Sequence, residues 1–84
     1  MTGIRHLIVN ADDFGQTAGV NRGVIMAHEE GIVTSASLMA RWPAAASAAA
    51  YARAHPTLGL GLHIDLGEWT VRSGEWFPFT RLCR

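Results

Sequence analysis

A short apolar run that ends in two adjacent carboxylates constrains this sequence more than any other feature. Residues 7–15 read LIVNADDFG, so branched apolar side chains lead directly into Asp12 and Asp13. Such a run, bounded by turn residues, is typical of a buried strand, and we predict a strand over residues 4–10 and a loop over 11–16. Holding two ionised acids at the end of a buried strand is costly unless a positive charge lies between them. A divalent metal would supply that charge, whereas the alternative is that the pair only forms a turn or caps a helix.

Helical spacing and breaker residues predict two helices and a second strand after this loop. Thr17 is a suitable N-cap for a first helix, and Gly31 is the expected C-cap glycine. A strand over residues 32–40 follows, and Pro43 fits the first turn of an alanine-rich helix over residues 44–54. That helix is predicted to end before His55, because a residue that precedes a proline avoids helical geometry.

Residues 58–66 alternate strictly between two kinds of side chain and predict a third strand. Apolar residues occupy one face, which we expect to pack under the helices: Leu60, Leu62, Ile64 and Leu66. The opposite face carries two glycines and then His63 and Asp65. After this strand, two strand-like segments flank Ser73 and Gly74, which predicts a tight hairpin.

The order strand, helix, strand, helix, strand predicts an α/β fold with a parallel sheet. Short connections favour parallel βαβ units with right-handed crossovers, in which ligands bind beyond the carboxyl ends of the strands. Asp12 and Asp13 follow the first strand, and His63 lies near the end of the third strand. All three side chains should therefore reach the same edge, which favours a metal or catalytic site over a simple turn.

Length, cysteine content and charge exclude several classes of protein. The 84 residues, 49% of them hydrophobic, are too few for more than one globular domain and contain no run long enough to span a membrane. The N-terminal residues lack the pattern of a secretory signal, so we expect a cytoplasmic protein. Cys83 is the single cysteine, which excludes an internal disulfide and a cysteine-built zinc site. Seven arginines balance seven acids without a basic stripe, so nucleic acid is not an expected partner.

Four motifs in order resemble the YdjC-like (ChbG/HpnK-type) carbohydrate deacetylases. They are NADDFG at residues 10–15, GVNRG at 19–23, VTSASLM at 33–39 and GLH at 61–63, and the resemblance covers roughly residues 4–68. It implies a (β/α) barrel enzyme that uses a divalent metal to remove N-acetyl groups from amino sugars or related glycans. A barrel of this kind needs about 250 residues, so residues 1–84 would form the N-terminal part of one barrel domain.

The resemblance also implies roles for individual residues. Asp12 matches the catalytic base, Asp13 the metal-binding aspartate and His63 a metal-binding histidine. A metal on Asp13 and His63 (Mg, Zn or Mn) would activate water, and Asp12 would accept the proton of that water. Asp65, two residues beyond His63, could orient the imidazole ring from outside the metal ligands, although a plain strand-end carboxylate is the simpler interpretation.

The chain departs from the family pattern in two places. The third metal ligand of the family is a histidine further along the chain, and no equivalent occurs before Arg84. The remaining histidines are not placed to complete the site, and we interpret them as packing or surface residues: His6, His28 and His55. Arg41 and Trp42 stand where the family often carries smaller or amide residues.

Two other functions stay open at this point. An acid pair after a first strand also occurs in receiver-type and Mg-dependent phosphoryl-transfer domains, although these usually add a third carboxylate. The chain could also be a catalytically incomplete fragment that acts as an assembly or binding module. In either case the open edges of a three-stranded sheet favour self-association or cover by the remainder of a barrel.

Overall fold

The computed structural model describes residues 3–79, in which a three-stranded parallel sheet alternates with two helices and is followed by a hairpin. Cys83 lies outside the described residues. The elements are β1 (Asn10–Phe14), α1 (Ala18–Glu29), β2 (Ser35–Leu38), α2 (Ala45–Ala54), β3 (Gly59–Leu62), β4 (Glu68–Arg72) and β5 (Glu75–Phe79). The sheet order β1-β2-β3, with both pairings parallel, confirms the predicted βαβαβ fold.

The first strand lies further along the chain than predicted. β1 begins at Asn10, where pairing with Ser35 of β2 starts, and the prediction of a strand over residues 4–10 is wrong. Among the described residues, the segment before Val9 has no strand beside it, and Ile4, Leu7 and Ile8 are between 76% and 86% exposed. The acid pair therefore belongs to a strand and not to the predicted loop.

The first helix begins as predicted but ends differently. Thr17 is the N-cap, and its hydroxyl accepts a hydrogen bond from the backbone N–H of Val20. The C-cap is Glu30 and not the predicted Gly31. A Cβ at Gly31 would lie 2.7 Å from the carbonyl oxygen of Ala27, so close approach explains this glycine.

The second helix and the hairpin follow the predictions closely. α2 starts after Ala44, so Pro43 precedes the helix. The prediction that Pro43 lies in the first turn of this helix is wrong. α2 ends at the C-cap His55, directly before Pro56, as predicted. Ser73 and Gly74 connect β4 and β5 with positive φ values of 51° and 80°, as a tight two-residue hairpin turn requires.

The hydrophobic core lies between the sheet and the two helices. One buried residue comes from each of five consecutive segments: Phe14, Val24, Ala36, Ala48 and Leu58. Small alanine side chains allow α2 to lie close to the sheet. β3 ends at Leu62, so the predicted strand over residues 58–66 is too long. The apolar residues of that predicted strand do not join the core, because Leu60 is 42% exposed and Leu62, Ile64 and Leu66 are between 70% and 81% exposed. The prediction that this face packs under the helices is wrong for the described part of the chain.

Tyr51 of α2 connects the two helices. Its hydroxyl donates a 2.6 Å hydrogen bond to Glu29 of α1, and its ring stacks on His55 with centroids 3.9 Å apart. Burial, reinforced by the hydrogen bond and the negative charge of Glu29, raises the pKa of Tyr51 from 10.0 to about 12. The native state therefore keeps this proton in a pH range in which the unfolded chain releases it.

We expect the native phenol of Tyr51 to ionise with a midpoint near pH 12, whereas the unfolded chain should titrate near pH 10. Tyrosinate absorbance measures this directly, because Tyr51 is the only tyrosine. The stabilisation linked to this proton is complete below pH 10 and is lost as the pH rises towards 12. Glu29→Gln should lower the native midpoint, whereas Glu30→Gln should leave it in place. Equal midpoints in native and urea-unfolded protein would contradict the assignment.

Candidate active site

The acid pair lies in a β-bulge near the end of β1. Ala11 pairs with Ala36 and Phe14 pairs with Leu38, so three steps along β1 oppose two steps along β2. The extra residue falls at Asp12 and Asp13, and Asp13 has a positive φ of 67°. Bulges of this kind bend a strand and redirect its side chains, and they are common beside active sites. The bulge is the local feature that decides where the two carboxylates point.

Both carboxylates reach a cluster that also contains Ser37 of β2 and His63, the residue after β3. Oδ1 of Asp13 lies 3.4 Å from Nδ1 of His63. Oγ of Ser37 lies 3.3 Å from the same imidazole nitrogen and 3.4 Å from Oδ1 of Asp12. The backbone N–H of His63 donates to the carbonyl oxygen of Leu38, which fixes the imidazole beside β2. The structure thus brings Asp12, Asp13 and His63 together at the carboxyl edge.

The two acids have different surroundings within this cluster. Oδ1 of Asp12 accepts hydrogen bonds from Nδ2 of Asn10 at 3.0 Å and from Ser37. Within residues 3–79, Oδ2 of Asp12 accepts no hydrogen bond, and the residue is exposed. Asp13 instead faces the imidazole of His63. Within residues 3–79, one carboxylate is therefore held with a free oxygen, and the other lies beside an imidazole ring.

Asp13 and His63 fit two positions around a divalent ion. Their nearest atoms are 3.4 Å apart, which is longer than a typical N–H···O hydrogen bond. Two ligand atoms at ~2.1 Å from a tetrahedrally coordinated ion lie roughly 3.4 Å from each other. Across residues 3–79, no group of three or more histidine, cysteine or acidic side chains is arranged to hold a metal. Within residues 3–79, Asp13 and His63 are therefore a pair and not part of a larger group of such side chains.

Asn21 holds the turn that follows the acid pair, and the sequence analysis missed this role. Asn21 is buried, and its Oδ1 accepts a 2.7 Å hydrogen bond from the backbone N–H of Gly15. Its Nδ2 donates to the carbonyl oxygen of Ala44 and to Oγ of Ser47. The available signal was the helical spacing, because Asn21 lies three residues before the core residue Val24.

Gly15 is required at this turn for two reasons. Its φ is +98°, a conformation that side chains rarely adopt, and a Cβ would lie 3.0 Å from the Cα of Ala45. The turn after β1 therefore packs directly on the start of α2.

Asp65 makes no contact with the imidazole of His63, although the sequence suggested that it could orient this ring directly. Its Oδ2 accepts a 2.8 Å hydrogen bond from Nε1 of Trp42 and lies 3.0 Å from Nη2 of Arg41. Its Oδ1 accepts from the backbone N–H of Gly67. No hydrogen bond joins Asp65 to His63 in the described structure, and the suggested contact is wrong.

The buried environment of Asp65 favours its charged form on balance. Burial acts to raise the pKa of Asp65, but the hydrogen bond from Trp42 and the charge of Arg41 outweigh burial and hold the pKa below its usual value. Nε, Nη1 and Nη2 of Arg41 are all buried, and within residues 3–79 the contact of Nη2 with Asp65 is an ion pair at 3.0 Å that does not meet hydrogen-bond geometry. The ion pair therefore connects the end of β2 to the segment after β3.

The other histidines have the structural roles expected of them. Nδ1 of His28 bonds to the carbonyl oxygen of Val33 at 2.8 Å, and Nε2 bonds to the hydroxyl of Thr57 at 3.0 Å. His55 stacks on Tyr51, and His6 is exposed. None of the three joins the cluster around Asp13.

Comparison with known proteins gives one consistent result. A family model described as YdjC-like protein matches residues 6–84. A carbohydrate deacetylase of Geobacillus stearothermophilus is 56% identical over 62 residues, which are 74% of this chain and 25% of that protein. A carbohydrate deacetylase of Brevibacillus brevis is 55% identical over 60 residues (71% and 24%), and one of Vibrio cholerae is 48% identical over 69 residues (82% and 27%). No solved structure gives a significant match.

The chain spans about a quarter of the length of the curated relatives it matches. Its parallel βαβαβ unit fits the N-terminal part of a (β/α) barrel deacetylase. Among residues 3–79, neither helix is long and apolar enough to cross a membrane.

We expect Asn21→Ala to destabilise the fold by about 1–3 kcal/mol, because the substitution leaves the buried N–H of Gly15 without an acceptor. Urea denaturation of the purified protein measures the loss. Ser47→Ala is the matched control, since it removes only one of the two acceptors of Nδ2 and should cost less. Equal losses in the two variants would mean that the bond to Gly15 is not the important one.

Proposed function

The chain belongs to the YdjC-like family, and on that basis we propose that the protein is a metal-dependent carbohydrate deacetylase that removes N-acetyl groups from amino sugars or related glycans. The observation that carries the proposal is the cluster at the carboxyl edge, in which Asp13 lies 3.4 Å from His63 and Asp12 stands beside them. A cytoplasmic location stays a prediction from the sequence.

Asp13 and His63 would hold the divalent ion, with Mg, Zn and Mn all compatible with one carboxylate and one imidazole. When bound, such an ion polarises the acetamide carbonyl and makes a bound water more acidic. A further ligand would come from chain outside residues 3–79 or from water.

Asp12 would act as the general base. Asn10 and Ser37 hold its Oδ1, so the free Oδ2 can accept the proton of the attacking water without reorientation of the side chain. The carboxylic acid that results can return this proton to the departing amine of the sugar. Ser37 would hold the side chains of Asp12 and His63 at a fixed relative position, because its hydroxyl contacts both.

The substrate in this proposal is an N-acetylated sugar. The exposed apolar residues of the sheet also favour contact with a second partner. The exposed leucines and isoleucine of the third strand and the following segment form an apolar edge. Cover from the remainder of a barrel or from self-association would remove this surface from water.

A binding or assembly module without catalysis is the second candidate, because within residues 3–79 Asp13 and His63 form a pair and not a group of three or more metal-binding side chains. Metal binding without turnover of any acetylated sugar would favour it.

We expect Asp12→Asn to lower kcat for deacetylation by about 10²–10⁴-fold, the usual contribution of a general base. The measurement is acetate release from N-acetylglucosamine oligosaccharides, with zinc, manganese and magnesium supplied in turn. Zinc affinity measured by calorimetry should change little in this variant, because Asp12 is not assigned as a ligand.

The Asp13→Ala, His63→Ala double variant should lose both metal binding and activity, since both assigned ligands are removed. Glu30→Gln, a change in an exposed acid at the end of α1, is the control and should alter neither. Full activity in Asp12→Asn would remove this residue from the mechanism. Full metal affinity in the double variant would remove the assigned metal site.

A further inference from the structure

Three buried or partly buried side chains connect the end of β2 to the segment that follows His63. Arg41 and Trp42 come shortly after β2, and Asp65 comes two residues after His63. We call Arg41, Trp42 and Asp65 the rim clamp. The side chain of Asp65 is only 6% exposed, and Trp42 is buried.

Three groups surround the Asp65 carboxylate, two from the rim clamp and one from the backbone of Gly67. Trp42 donates an indole N–H at 2.8 Å, Gly67 donates a backbone N–H at 3.0 Å, and the guanidinium of Arg41 lies at 3.0 Å. A buried carboxylate is stable only when it is paired and hydrogen-bonded in this way. Because the donors are on two chain segments, the carboxylate fixes one segment against the other.

The rim clamp and the backbone hydrogen bond of His63 hold the segment after β3 at two nearby points. The N–H of His63 donates to Leu38 at the end of β2, and Asp65 bonds to the residues that follow β2. Residue 63 is therefore held at its own backbone and again two positions later. Such double attachment restricts the rotation of this short segment and so the direction of the imidazole.

We propose that Asp65, held by Arg41 and Trp42, is a positioning residue that sets the distance between the imidazole of His63 and the carboxylate of Asp13. It acts through the backbone and not through contact with the ring, which instead meets Ser37 and Asp13. The inference rests on the proposed function only in that His63 and Asp13 are taken as metal ligands. The placement of the ring itself does not depend on a metal.

The first experiment therefore measures His63 without metal. Long-range ¹H–¹⁵N spectra of the purified protein report the imidazole signals, and Asp65→Leu should shift and broaden those of His63. The indole signal of Trp42 should shift as well, since its acceptor is lost. His28, which bonds to Val33 and Thr57, provides an internal reference that should not change.

The second experiment measures zinc affinity by calorimetry. Groups that orient metal ligands from outside typically contribute 10–100-fold in affinity, and we expect a loss in this range for Asp65→Leu. Asp65→Asn should also weaken binding, because it leaves the charge of Arg41 unpaired. The double variant with Arg41→Gln and Asp65→Asn should bind zinc more tightly than Asp65→Asn alone, since two neutral amides can hydrogen-bond in place of the ion pair.

Tyr51→Phe separates positioning from general destabilisation. It removes only the hydrogen bond from Tyr51 to Glu29 of α1, which involves no residue of the rim clamp, and should lower stability while zinc affinity and the His63 signals stay unchanged. Wild-type His63 signals in a folded Asp65→Leu variant would overturn the proposal. If the wild-type protein bound no zinc, the metal assignment would fail, and the His63 signals alone would decide whether the rim clamp positions the ring.

Discussion

The single extra residue in β1 is the constraint on which the candidate site depends. On a regular strand, adjacent side chains point to opposite faces, so Asp12 and Asp13 could not both serve one site. The bulge and the positive φ of Asp13 remove that restriction, and the two acids meet Ser37 and His63 together. Such a conformation persists only when the surrounding structure determines it strongly. Gly15 and Asn21 provide that support directly after the bulge.

Directional polar bonds locate the site because the apolar core is small. Phe14 and Met39 are the large side chains that the described fold buries completely, and alanines fill much of the rest. Hydrophobic burial is non-directional, so it stabilises the layers without fixing a loop to within an ångström. Asn21 fastens the segment after β1, and Asp65 fastens the segment after β3. The two segments that carry Asp13 and His63 are thus each anchored by a buried polar side chain.

The sequence was sufficient to predict the order of elements and the meeting of the site residues, because both follow from periodicity and from parallel strand direction. The N-cap at Thr17 and the turn at Ser73 and Gly74 were predicted for the same reason, since each depends on local residue chemistry. The bulge was not predictable, because it arises from the register between β1 and β2. The partners of Asp65 were missed because Trp42 and Asp65 are 23 positions apart and meet only in the folded chain.

Contacts that form only in the folded chain also explain how two neighbouring acids can have separate chemical roles. Neither charge nor residue type distinguishes Asp12 from Asp13, so any difference must come from their surroundings. Asn10 and Ser37 hold one oxygen of Asp12 with neutral donors, which keeps the other oxygen available as a base. Asp13 faces an imidazole that can share an ion with it. The strand register therefore assigns each acid its surroundings, and those surroundings give the proposed base and the proposed ligand their different functions.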